Sequence, residues 1–151
     1  MTGDAVEDVP IPALLRASRG AYGHVIRQRL ATAGFDDLPR NGPYVLGGMA
    51  NGGVSAGQLV RELGISKQAT GQLLDTLVAR GYLDRRTDPG DRRRLMIDLT
   101  DRGRAAAVEV RAAVELVDAE LAGRISRADL RGLRAGLVAL TEIRERLEAE
   151  S

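Results

Sequence analysis

Apolar side chains recur every three or four residues along much of the chain, a spacing typical of helices. Between Ile11 and Leu30 this spacing predicts a first helix that ends near Gly34. Pro43 is placed to open a short second helix, which Gly47 and Gly48 weaken. We therefore expect the order of this second helix to depend on its packing.

Two further short helices are predicted on either side of a tight turn. Ser55 precedes AGQLVRELGI, and Gly64 supplies a left-handed residue that ends this helix. Ser66 caps the next helix, KQATGQLLDTLVARG, which ends at Gly81. Two helices joined by a brief turn containing glycine form a helix-turn-helix.

After Gly81 the apolar spacing shortens to every second residue, which indicates strands. YLDRR is predicted to be one strand, TDPGD a turn and RRRLMIDLT a second strand. Leu95, Ile97 and Leu99 alternate with Met96 and Asp98 along the second strand. The segment is therefore predicted to be a hairpin with a charged tip.

Two helices are predicted after the hairpin. Thr100 caps a long helix whose apolar residues form two stripes, and Ser126 with Asp129 makes a capping box for the last helix. The first stripe contains Ala105, Val108, Ala112 and Leu116, and the second contains Val110, Val114, Val117 and Leu121. A helix that is apolar on more than one face usually has more than one packing partner.

The predicted fold class is mainly α with a small β-hairpin wing: a winged helix-turn-helix on a helical dimerisation region. Residues 1–9, which include Asp4, Glu7 and Asp8, are expected to be a flexible tail. Residues 10–151 are expected to form a single domain. Within it, residues 54–100 would form the winged lobe, and residues 10–34 and 101–150 the dimerisation helices.

Composition narrows the function classes. The net charge is only +1, so binding to nucleic acid would depend on where the arginines lie. The chain has no cysteine and one histidine, His24, and no phosphate-binding glycine loop. We therefore expect no metal, no cofactor and no enzymatic activity. The acidic start has no apolar signal region and no stretch is long enough to span a membrane, so a cytoplasmic protein is expected.

The segment from Ser66 to Thr100 resembles the MarR family. Members of that family have a Ser- or Thr-capped recognition helix, a G-[YL]-[LVI]-x-R strand, a D-P-x-D-x-R wing and a strand ending in L-T. This chain supplies Ser66, Gly81 to Leu83 with Arg85, Asp88 to Arg93, and Leu99 with Thr100. The resemblance implies a homodimeric DNA-binding transcriptional regulator.

The start of the recognition helix is the first candidate DNA contact. Its polar residues are Ser66, Lys67, Gln68, Thr70 and Gln72. Glutamine can pair with adenine and lysine can reach guanine acceptors, while the alternative is an ordinary solvated helix face. Gly71 weakens this helix by up to about 1 kcal/mol relative to alanine. We expect that the fold, rather than helix propensity, holds the helix at this position; the alternative is that Gly71 allows close approach of the backbone to DNA.

The wing is the second candidate contact. Its clustered arginines repel one another, so the cluster is favourable only beside an anionic partner such as DNA or an internal carboxylate. The candidate residues are Arg85, Arg86, Asp91, Arg92, Arg93 and Arg94. By the resemblance, Asp91 orients Arg93 into a minor groove, and Arg92 and Arg94 contact phosphate.

The resemblance further implies two recognition helices about one DNA turn apart on a pseudo-palindromic operator. It also implies repression that a small molecule relieves by binding beside the lobe. Candidate pocket residues are Tyr22, Ile26, Tyr44, Leu46 and Met49, for each of which an ordinary core position is the alternative. Two other classes stay open: a winged-helix module that binds an acidic protein partner, and a small helical enzyme without a recognisable motif.

Overall fold

The structure is a computed structural model that describes residues 8–52, 55–92 and 95–150. These residues contain six helices and one two-stranded antiparallel sheet. In chain order the elements are α1 (Ile11–Thr32), α2 (Gly42–Ala50), α3 (Ala56–Glu62), α4 (Lys67–Ala79), β1 (Leu83–Thr87), β2 (Leu95–Leu99), α5 (Asp101–Ala122) and α6 (Arg127–Ala149). The predicted class, mainly helical with a small hairpin, is confirmed. Most of the predicted tail, residues 1–7, lies outside the described residues.

The chain divides into two compact units, residues 1–114 and residues 115–151. The first unit contains α1 to α4, the hairpin and the first part of α5. The second contains the end of α5 and all of α6. The single domain expected for residues 10–151 stays a prediction.

The predicted helix boundaries are confirmed because caps and left-handed glycines fix them. The hydroxyls of Ser55, Ser66 and Ser126 accept hydrogen bonds from backbone N–H groups three residues on, at 3.1–3.2 Å. Thr100 likewise accepts from the N–H of Gly103 at 3.0 Å. Gly34, Gly64 and Gly81 have positive φ just after α1, α3 and α4, a conformation that costs other residues more. Because these interactions are local, the helix ends can be predicted from the sequence.

The core of the first unit is almost entirely aliphatic. Its fully buried large side chains are Val45 and Leu46 of α2, Val60, Leu77, Tyr82 and Leu83. The core also contains Leu30 of α1 and three residues of α5: Ala106, Ala107 and Val110. The core thus holds α2 to α4 and the hairpin against the first turns of α5.

Helix α2 is ordered by packing, and its glycines are part of that packing. A Cβ at Gly48 would lie 2.6 Å from Leu59 Cδ2, and one at Gly42 would lie 2.7 Å from Leu38 Cδ2. Glycine at these positions allows Leu38 and Leu59 to pack directly against the helix backbone. The intrinsic weakness expected for α2 is thereby offset by close contacts.

The strands pair in a register that gives the hairpin two unlike faces. Leu83 lies opposite Leu99, and Arg85 lies opposite Ile97. Leu83 is buried, and Ile97 and Leu99 pack against the core. On the other face, Asp84 lies opposite Asp98, a pair of like charges that is unfavourable unless a cation is near. The first face therefore anchors the hairpin to the lobe.

The buried side of α5 is not either of its two predicted apolar stripes. Gly103, Ala106, Ala107, Val110 and Ala113 are buried, and only Val110 belongs to a predicted stripe. Small residues face the core here because the helix lies close to the hairpin base: a Cβ at Gly103 would collide with the Tyr82 carbonyl oxygen. Val108 and Leu116 of the first stripe are exposed in the single chain.

Helix α6 has a regular apolar stripe that is exposed in the single chain. Its exposed large apolar residues are Leu133, Leu137, Val138, Leu140, Ile143 and Leu147. Helix α1 also exposes Ile11 and Leu15. None of the described helices is both long enough and apolar enough to cross a membrane.

Candidate nucleic-acid interface

The start of α4 is fixed by its own polar side chains. The hydroxyl of Ser66 accepts from the N–H of Ala69 at 3.1 Å and so caps α4. The hydroxyl of Thr70 donates to the carbonyl oxygen of Ser66 at 2.9 Å, and Thr70 is half-buried on the core side of the helix. Of the polar residues predicted to contact DNA, these two stabilise the helix end.

The outer face of α4 carries the other predicted residues. At about 100° per residue, Gln68, Gln72 and Asp75 lie on one side of the helix, opposite the buried Leu73 and Leu77. Lys67, Gln68 and Gln72 are all exposed. Two amides and one ammonium group near a helix N-terminus can make hydrogen bonds to base edges and phosphates.

No contact within the described chain requires glycine at position 71. A Cβ built at this position meets no atom within 4 Å. No positive φ is found there either, since the positive-φ glycines are Gly34, Gly52, Gly64 and Gly81.

Arg85 of the wing is paired with an acid that the sequence analysis did not consider. Its guanidinium forms an ion pair and hydrogen bond with Asp75 of α4, which lies ten residues earlier. Both side chains remain substantially exposed. The pair connects β1 to the outer face of α4 and neutralises Arg85, so this arginine is not a free cation of the wing.

The rest of the wing is partly organised by its own carboxylates. Arg86 pairs with Asp84 at 3.2 Å and thereby offsets the Asp84–Asp98 repulsion across the strands. Asp88 accepts from the N–H of Gly90 at 2.8 Å and shapes the turn. Asp91 and Arg92 are exposed at the tip. Arg93 and Arg94, and with them the predicted Asp91–Arg93 contact, lie outside the described residues.

A polar cluster that the sequence analysis missed joins the base of the wing to α5. The Tyr82 hydroxyl donates to the Asp37 carboxylate. Arg102 of α5 donates to Asp37 Oδ1 at 2.9 Å and to the Tyr82 hydroxyl at 3.0 Å, and its guanidinium carbon lies 4.6 Å from the centre of the Tyr82 ring. Phe35 packs edge-on against Tyr82, with 6.2 Å between ring centres. No local motif indicates these contacts, because their members are 20–65 residues apart in the chain.

Backbone contacts add to this cluster. Arg80, at the end of α4, donates to the carbonyl oxygen of Asp37. The Thr100 N–H donates to the carbonyl oxygen of Tyr82 at 3.1 Å, and its hydroxyl donates to those of Gly81 and Tyr82. The end of α4, the base of both hairpin strands and the first turn of α5 therefore meet at one point.

The cluster shifts the acid–base behaviour of its members. The hydrogen bond from Tyr82, together with the charge of Arg102, lowers the pKa of Asp37 below its ordinary value. Burial raises the pKa of Tyr82, and its hydrogen bond to Asp37 adds to that shift. Asp37 is thus favoured as the carboxylate and Tyr82 as the neutral phenol.

The candidate pocket residues occupy several environments. Leu46 is fully buried in the core, which agrees with the alternative interpretation for that residue. Ile26 and Met49 are half-buried against the same core. Tyr44 is nearly half exposed, and its hydroxyl donates to Glu62 of α3 at 2.8 Å. Tyr22 is half-buried on α1.

Comparison with known proteins identifies a family that part of the chain matches. A model of the MarR family matches residues 36–94. RV1404 from Mycobacterium tuberculosis is similar to the chain, with 29% identity, a TM-score of 0.63, and 95% of this chain and 94% of that chain covered. None of the curated protein sequences matches.

Two further solved structures share the fold. The S. aureus MepR–DNA complex has 18% identity, a TM-score of 0.71, and 89% of this chain and 98% of that chain covered. Wild-type MarR from E. coli in its apo form has 20% identity and a TM-score of 0.61, with 87% of this chain and 97% of that chain covered. Residues 36–94 therefore match the MarR family, and the helix-turn-helix and hairpin share the winged helix-turn-helix fold of these solved structures.

Proposed function

We propose that the chain is a homodimeric, sequence-specific DNA-binding repressor and not an enzyme. The observation that carries the proposal is the outer face of α4, where Lys67, Gln68 and Gln72 are exposed beside a capped helix N-terminus. A helix of this kind enters the major groove with its first turns against the bases. The S. aureus MepR structure is a complex with DNA, which supports the same role for this fold here.

The exposed apolar stripes support the dimer. Helix α6 exposes Leu133, Leu137 and Leu140 at helical spacing, and α1 and α5 expose further apolar residues. An apolar face this regular is unfavourable in water and is usually covered by a partner. In the proposal, α1, α5 and α6 of two chains cover one another and so fix the distance between two α4 helices.

The wing makes the second contact in the proposal. Arg92 and Arg94 contact phosphate, and Arg93, oriented by Asp91, enters the minor groove. Arg85 and Arg86 contribute less, because Asp75 and Asp84 already pair with them. Thr70 and Ser66 hold the start of α4 in place, and base contacts fall to Gln68 and Gln72.

Relief of repression by a small molecule is the final part of the proposal. Tyr22, Ile26, Tyr44 and Met49 are partly accessible, whereas Leu46 would support such a site from the core. The Tyr44–Glu62 hydrogen bond connects α2 to the first helix of the helix-turn-helix. A compound that bound beside Tyr44 would act on the lobe through this contact.

Selection of bound sequences from random duplex DNA tests the proposal. The expected result is enrichment of a pseudo-palindrome, bound about 10³-fold or more tightly than scrambled duplex. The affinity should also fall steeply with salt. If the protein bound no duplex but bound acidic polypeptides through the same arginines, the wing would be a protein-interaction surface and the proposal would be wrong.

A further inference from the structure

Gly71 is a helical glycine that the described chain does not explain. It lies well inside α4, where glycine weakens a helix relative to alanine. Where glycine is required elsewhere in the lobe, the reason is visible: Gly48 lies against Leu59, and Gly103 lies against the Tyr82 backbone. At Gly71 a Cβ would meet nothing within 4 Å. A reason for this residue must therefore be sought in a contact outside the chain.

The position of Gly71 on the helix indicates what that contact is. It is one turn after Gln68 and one turn before Asp75, on the flank of the outer face. The other helical glycines with open space on all sides are Gly20, Gly132 and Gly136, on the helices α1 and α6 that are proposed above to pair.

We propose that Gly71 sets how closely α4 approaches the bases, and that Gln68 and Gln72 then each read an A·T pair. This inference rests on the proposed function. Without a side chain at position 71, the helix backbone can lie deeper in the groove than an alanine would allow. At that depth both glutamine amides can reach adenine N6 and N7, the bidentate contact that glutamine makes best.

The spacing of the two glutamines restricts the sequence that they read. Gln68 and Gln72 are four residues apart, which is about 6 Å along the helix. Successive base pairs are about 3.4 Å apart. The two amides therefore reach pairs no more than about two steps from each other, and each half-site should contain two A·T pairs within that separation.

The substitution Gly71→Ala distinguishes an effect on folding from an effect on DNA recognition. It should stabilise the fold or leave it unchanged, and it should weaken operator binding. Alanine should leave the melting temperature unchanged or raise it, since the added methyl has space and favours the helix. Operator affinity should nevertheless fall about tenfold, while affinity for scrambled duplex stays within about twofold. Gly57→Ala is the matched control in α3, where the added Cβ meets only Arg61 Nη1 at 3.8 Å. It should leave the operator preference unchanged.

The selected operator and the glutamine variants complete the test. Gln68→Ala and Gln72→Ala should each relax the preference at one A·T position of the half-site. Operator binding by Gly71→Ala as tight as wild type would overturn the inference while leaving the proposed function intact. Half-sites without the two A·T pairs would also overturn it. A wild-type protein with no preference for any sequence would instead refute the proposed function, and the inference with it.

Discussion

Asp37 is the residue on which the polar cluster depends, because Tyr82 and Arg102 both donate to it. Its pKa is lowered in the folded chain, so folding favours the ionised carboxylate. The stability gained in this way is present above the ordinary pKa of 3.8 and is lost as the pH falls through the lower, folded value. We predict that Asp37→Asn is less stable than wild type at pH 7 and that the difference shrinks below pH 4. Urea denaturation at several pH values measures this.

Asp36→Asn is the control for that experiment, since Asp36 is the exposed neighbour of Asp37 and shares the same loop. It should change stability little at any of these pH values. Equal losses in the two variants would show that the cluster contributes nothing specific. Tyr82→Phe, which keeps the ring and removes the hydroxyl, should reproduce part of the Asp37→Asn effect.

At the scale of elements, the arginines of the wing differ in how strongly neighbouring carboxylates already neutralise them. Arg92 is exposed at the tip, whereas Arg85 is paired with Asp75 of α4. We predict that Arg92→Gln lowers the slope of log K against log salt by about 0.9 per chain, and hence about twice that per dimer. Arg85→Gln should lower it by less than half as much, because Asp75 already neutralises Arg85 and leaves it little charge to offer a phosphate. Equal changes in slope would show that Arg85 leaves Asp75 to bind phosphate.

The elements also show what the sequence could predict and what it could not. Helix ends at Ser66, Gly64 and Gly81 were predictable, because caps and left-handed residues act within a few positions. The Asp75–Arg85 pair was not predictable, because it depends on the angle between α4 and β1. The buried side of α5 was missed for a related reason: close packing selects small residues such as Gly103, and an apolar pattern ranks large ones higher.

At the scale of the whole molecule, the exposed stripe of α6 predicts self-association. Leu140→Glu should place a charge within the stripe and shift the protein from dimer to monomer, as measured by sedimentation at micromolar concentration. Ala135→Glu is the matched control, because position 135 lies on the opposite side of α6. A wild-type protein that sediments as a monomer would remove the basis for two recognition helices acting together. Dissociation by both variants alike would show that the stripe is not the dimer contact.

The central claim is that two copies of α4 and two wings act on one operator. Hydroxyl-radical footprinting of the selected operator, with the protein-to-DNA ratio determined in parallel, tests it most directly. We predict one dimer per duplex and two protected half-sites about one helical turn apart, or about 10–10.5 base pairs from centre to centre. A single protected half-site occupied by one chain, or uniform protection without defined half-sites, would contradict the account.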